Sequence, residues 1–149
     1  MTTMSTLRRF TTADATVCRD LAVEGDGWSA ACTQAQAFRL FEVPDPGVDE
    51  CRVIYRASLK TDSLTGRAYL EMWCRFPGRG EFFSKGLNQI LTGSNAWTSC
   101  ETPFLLKPGE KPDLIRLNLV VQAVGWLWKR PVTGRIWIRN VELVSVPLG

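Results

Sequence analysis

The stretch that decides the fold is Arg52-Val53-Ile54-Tyr55-Arg56-Ala57-Ser58-Leu59-Lys60, followed by Gly66-Arg67-Ala68-Tyr69-Leu70-Glu71-Met72-Trp73-Cys74-Arg75-Phe76. Val53, Tyr55, Ala57 and Leu59 alternate with Arg52, Ile54, Arg56, Ser58 and Lys60. Ala68, Leu70, Met72, Cys74 and Phe76 alternate with Arg67, Tyr69, Glu71, Trp73 and Arg75. A period of two over this many positions is the mark of strands with one buried face. Asp62-Ser63-Leu64-Thr65-Gly66 lies between the two runs and reads as a hairpin loop.

The pattern repeats further along the chain. Leu117, Leu119 and Val121 alternate with Arg116, Asn118, Val120 and Gln122, and Ile136 and Ile138 with Arg135, Trp137 and Arg139. Further strands are expected over Thr16–Val23, Trp28–Thr33, Gln36–Val43, Glu81–Ser84 and Trp97–Leu106. Gly/Pro clusters such as Pro44–Gly47, Pro77–Gly80 and Lys107–Pro112 punctuate them. Helical spacing is weak, and Lys85–Leu91 is at most a turn or short helix. The expectation is an all-β chain, a single antiparallel β-sandwich of the jelly-roll type with about 8–9 strands. Residues 1–12 read as a loosely ordered arm and residues 13–149 as the sandwich domain.

The 149 residues suit one domain with a core of its own. Composition excludes several functions. With no His, the commonest general base and zinc ligand are both missing. Cys18, Cys32, Cys51, Cys74 and Cys100 show no CxxC spacing, so reduced thiols packed as small apolar groups are expected and no metal site is assigned. The net charge of +3 is too small to argue nucleic-acid binding. Met1–Asp20 has no apolar run of signal-peptide type, and no stretch has the length of a membrane span. Those readings lead to an expectation of a cytoplasmic protein.

The run from Tyr55 to Trp73 resembles the central strands of carbohydrate-binding-module-like jelly rolls of the galactose-binding-like superfamily. Trp97 with Pro103-Phe104 resembles the strand after their long loop. Leu117–Val121 and Gly134-Arg135-Ile136-Trp137-Ile138-Arg139-Asn140-Val141-Glu142-Leu143 resemble their last two strands. The resemblance implies a non-catalytic domain that binds glycans on a concave sheet face or at loop tips. It also implies a structural calcium ion in many members. Arg139 stands where the family has Asp, which argues against calcium here, so no cofactor is assigned. The segment Gly125–Pro131 is longer than the family's usual turn and carries Trp126 and Trp128 as a candidate contact tip.

Thirteen Arg, five Lys and six Trp set the expected surface chemistry. The polar parity collects Arg56, Tyr69, Glu71, Trp73, Arg75, Arg116, Asn118, Gln122 and Trp137 as candidate ligand-binding residues, if their strands neighbour each other. Trp73 and Trp137 would stack on sugar rings. The Arg, amide and carboxylate groups would contact hydroxyls or an acidic group, and the Arg excess favours an acidic ligand. The same composition fits a protein interface, either with a second subunit or with another partner. Glu71 is the one carboxylate on the central polar rows, which leaves no evident carboxylate pair for glycoside hydrolysis. A Ser or Cys nucleophile would lack a His base. A binding domain is therefore expected, not an enzyme.

Overall fold

The computed structural model describes residues 3–124 and 131–148. Within them are nine strands: β1 (Ser5–Arg9), β2 (Ala22–Glu24), β3 (Gly27–Cys32), β4 (Gln36–Pro44), β5 (Cys51–Phe76), β6 (Gly80–Lys85), β7 (Leu91–Leu106), β8 (Leu114–Gln122) and β9 (Gly134–Pro147). Every pairing is antiparallel, and the described residues contain no helix. Lys85–Leu91 is therefore a turn with strand ends, and no helix in the described residues is long and apolar enough to cross a membrane.

The expected hairpin at Asp62–Gly66 does not reverse the chain. The two runs are one 26-residue strand, β5, that passes from one layer of the sandwich to the other. β7 and then β6 run along one edge of β5, while β9 and then β8 run along the other. One layer is β7, the first half of β5, β9, then β1 and β3, with β2 outermost. The other is β6, the second half of β5, β8 and β4. The nine strands thus form one curled antiparallel sheet whose halves face each other.

The buried parity of β5 changes at the crossing. Odd-numbered residues from Val53 to Thr61 face inward, and even-numbered residues from Leu64 to Phe76 do so afterwards. Ser63 sits at the change with φ +51°. That left-handed residue slips the register by one and lets both halves present their apolar rows to one core. Gly134, at φ +117°, packs against the same bend. A Cβ there would fall 2.6 Å from the Ser63 carbonyl oxygen and 2.7 Å from Leu64 Cα, so only glycine admits this approach.

All four expected inward rows are buried in one cluster: Val53 to Leu59, Ala68 to Cys74, Leu117 to Val121, and Ile136 with Ile138. Cys32, Cys51, Cys74 and Cys100 are buried free thiols, and burial pushes the Cys74 thiol up to about 12. The N-terminal residues differ from expectation. Ser5–Arg9 pair with β9, and Phe10 is buried and stacked on Phe41 with ring centroids 4.0 Å apart. The apolar ring of Phe10, isolated in the sequence, finds its partner only in the fold. Thr16–Val23 yields a strand only at its end, in β2.

Two stability effects are expected in urea unfolding. Phe10→Ala should lose about 3 kcal/mol, since a buried stacked ring is removed. An unchanged midpoint would mean that the N-terminal segment does not hold the fold. Tyr55→Phe should be neutral or stabilising by about 1 kcal/mol, because the fully buried Tyr55 hydroxyl has no hydrogen-bond partner. A clear loss of stability would show that the hydroxyl is satisfied.

Candidate functional site

The inward rows of both layers share one core, so their outward rows face away from each other. The candidate residues consequently divide between two surfaces. Tyr69, Glu71, Trp73, Arg75, Arg116, Asn118 and Gln122 lie on the β6–β5–β8–β4 layer. Arg56 and Trp137 lie on the β7–β5–β9–β3 layer. Trp126 and Trp128 lie outside the described residues.

On the first surface, strand register builds two adjacent rows. One row reads Lys85, Glu71, Asn118, Arg39 across β6, β5, β8 and β4. The next reads Phe83, Trp73, Arg116, Glu42. A groove of about 360 Å³ runs over them, lined by Ala37, Arg39, Glu71, Trp73, Glu81, Arg116 and Asn118. Trp73 is half-buried, and its ring tilts against the exposed ring of Phe83 at a centroid distance of 5.0 Å. Lys85 Nζ stands 5.0 Å from the Phe83 ring centre.

Glu71 organises the floor. Its Oε1 accepts hydrogen bonds from Trp73 Nε1 at 2.8 Å and from Asn118 Nδ2 at 3.2 Å. These bonds lock the indole and the amide together, with Glu71 and Asn118 nearly sealed from solvent. Arg116 Nε lies 3.3 Å from carboxylate oxygens of both Glu42 and Glu81. Arg75 Nε donates to Asp113 Oδ1 at 2.9 Å, and this bond raises the pKa of a guanidinium that is charged in any case. Arg67 Nε donates to Gln122 Oε1 at 3.2 Å, which occupies that amide oxygen.

Tyr69 departs from the expected role. It lies on the outward parity but is only 1% exposed, outside the main core cluster, so its ring offers no open stacking face. Burial, and then the neighbouring Glu71 carboxylate, push its phenol pKa up.

The opposite surface holds its aromatic residues differently. Trp137 Nε1 donates to a Glu24 carboxylate oxygen, while Lys60 Nζ and the Arg135 guanidinium lie 4.9 and 5.5 Å from its ring centre. Arg139 stacks over Trp97 at 4.0 Å. Arg56 donates to Glu142, which also holds Arg9 at 3.3 Å. Cations already occupy the neighbourhood of both rings.

Sequence reasoning missed Arg39, Glu81, Phe83 and Glu42. Arg39 was hidden because β4 shifts register between Arg39 and Phe41, which breaks alternation: Phe38, Leu40 and Phe41 are all buried. Phe83 and Glu81 were legible in principle, since both share one parity of the short expected strand Glu81–Ser84.

No protein-family model matches the chain, and no curated protein matches it. Solved structures do. One comprises the CBM22-1 and GH10 modules of the Clostridium thermocellum endo-1,4-beta-D-xylanase 10B, complexed with xylohexaose. It aligns at TM-score 0.53 and 9% identity, over 99% of this chain and 26% of that one. Another is the CBM22-1 xylan-binding domain of Paenibacillus barcinonensis Xyn10C, at TM-score 0.53 and 10% identity over 99% and 95% of the two chains. The fold is that of a carbohydrate-binding-module β-sandwich. This chain spans about a quarter of the xylanase chain and nearly all of the isolated xylan-binding domain.

Glu71→Ala should lower stability by about 1–3 kcal/mol, because it strands the Trp73 and Asn118 donors in a nearly sealed floor. Thermal unfolding measures this, and near-ultraviolet circular dichroism should show a loosened indole. A variant with wild-type stability and spectrum would remove Glu71 as the organiser.

Proposed function

We propose that this chain is a non-catalytic binding module whose Trp73 groove takes a neutral, hydroxyl-rich glycan. One observation carries the reading. A half-exposed indole, locked by Glu71, lies in a groove whose remaining lining is mostly side-chain hydrogen-bonding groups. An indole face packs on the C–H face of a sugar ring, and the surrounding amide, guanidinium and carboxylate groups match its hydroxyls. The xylan-binding domain that shares this fold supports the choice of a glycan.

The charge pattern favours a neutral chain over an acidic one. Arg116 faces two carboxylates and Arg75 is bonded to Asp113. Within the lining of the groove, two guanidiniums, Arg39 and Arg116, are balanced by two carboxylates, Glu71 and Glu81. Both are engaged, Glu71 by two N–H donors and Glu81 by Arg116, which suits a binding floor and leaves no carboxyl pair placed across an open cleft.

Affinity electrophoresis through gels containing xylan, a β-1,4-glucan or polygalacturonate tests the proposal. A neutral glycan should retard the wild-type chain. Trp73→Ala should weaken that retardation at least about tenfold, and Trp137→Ala should leave it unchanged. Retardation that survives Trp73→Ala, or that occurs on polygalacturonate alone, would overturn the assignment.

A further inference from the structure

The opposite layer carries a second depression of about 300 Å³, at the low end of the range for small-molecule sites, about 300–1,000 Å³. Its cause lies in the register. Ser58 and Ser99 face each other on β5 and β7, and their short side chains leave a gap. On one side stands the row Glu101, Arg56, Glu142. Ser58 also stands opposite Arg139 on β9, whose guanidinium is stacked over Trp97 outside the lining. Ala57 and Cys100 point to the core and add only backbone to the floor.

Two further groups close the sides. Gln89 comes from the turn between β6 and β7. Its Oε1 accepts the Glu101 backbone N–H at 2.7 Å, which fixes the turn and leaves the amide nitrogen to face outward contacts. Asn140 projects from the register shift of β9 against Arg56 and Ser58, with φ +57°. Ser58, Ser99, Glu101 and Asn140 supply hydroxyl, carboxylate and amide groups to the lining. These groups converge on one cavity.

We propose that this cleft is a second ligand site, selective for a single neutral polyol or terminal sugar unit. Charge supports neutrality: Arg56 and Arg9 both pair with Glu142, and Glu101 stands opposite Arg56 on β7. A metal ion is a poor fit, because no cluster of three acidic or thiol groups exists among the described residues. A hydroxyl group both donates and accepts, so it can satisfy Glu101 together with Asn140 and the serines. No aromatic ring lines the floor, so a long stacked glycan is disfavoured and one compact unit is favoured. The site is independent of the Trp73 groove on the other layer.

Amide-resolved NMR titration with D-xylose, D-glucose and glycerol tests it. At least one probe should give saturable shifts at Ser58, Ser99 and Asn140. Ser58→Phe should fill the floor and weaken that response at least about tenfold. Glu101→Ala, a surface change that spares the floor, should weaken it as well, and it serves if Ser58→Phe does not fold. Neither variant should alter shifts around Trp73 on addition of xylan oligosaccharides. No saturable shift in the cleft with any of the three probes, or wild-type curves in a folded variant, would overturn the proposal. Shifts lost around Trp73 but kept at Ser58 would instead sink the groove assignment alone.

Discussion

The structure depends on a single constraint: β5 serves both layers of the sandwich. Its 26 residues supply the central strand of each half, and β6, β7, β8 and β9 all pair with it directly. One strand can do this only if its buried parity changes where it changes layer. Ser63 makes that slip, and Gly134 allows β9 to start against the bend. A one-residue error there would turn a complete apolar row outward.

The same geometry separates two surfaces that differ in their electrostatics and their aromatic groups. On the β6–β5–β8–β4 layer, Trp73 and Phe83 remain partly open while Arg75 and Arg116 are paired with acids. On the other layer, Trp137 and Trp97 have Lys60, Arg135 and Arg139 close to their rings. Pairing across strands lowers the effective charge of each face. Among the residues lining the groove, Arg39 and Arg116 are balanced by Glu71 and Glu81.

The core was legible because alternation reports it directly. Every row from Val53 to Leu59, Ala68 to Cys74, Leu117 to Val121 and Ile136 to Ile138 is inward. The crossing was not legible, because Asp62-Ser63-Leu64-Thr65-Gly66 has the composition of a turn and yet continues as a strand. A turn reverses the chain only if cross-strand partners are available on the returning side. Here β7 and β9 hold β5 from both edges as far as the bend, and β6 and β8 take over beyond it. The candidate site was half legible. Glu71, Trp73, Arg116 and Asn118 do line one groove, while Arg56 and Trp137 belong to the opposite layer.

The amino-acid sequence alone determined which residues turn inward, because a period of two is local and the hydrophobic effect acts on each strand separately. It also determined that His-based chemistry is absent. Which outward residues meet was decided only by tertiary structure. Parity says that a side chain faces out, but not from which layer, and layer membership is set by pairings between strands far apart in the chain. Arg39 beside Asn118, Phe83 against Trp73 and Ser58 opposite Ser99 are products of that long-range register.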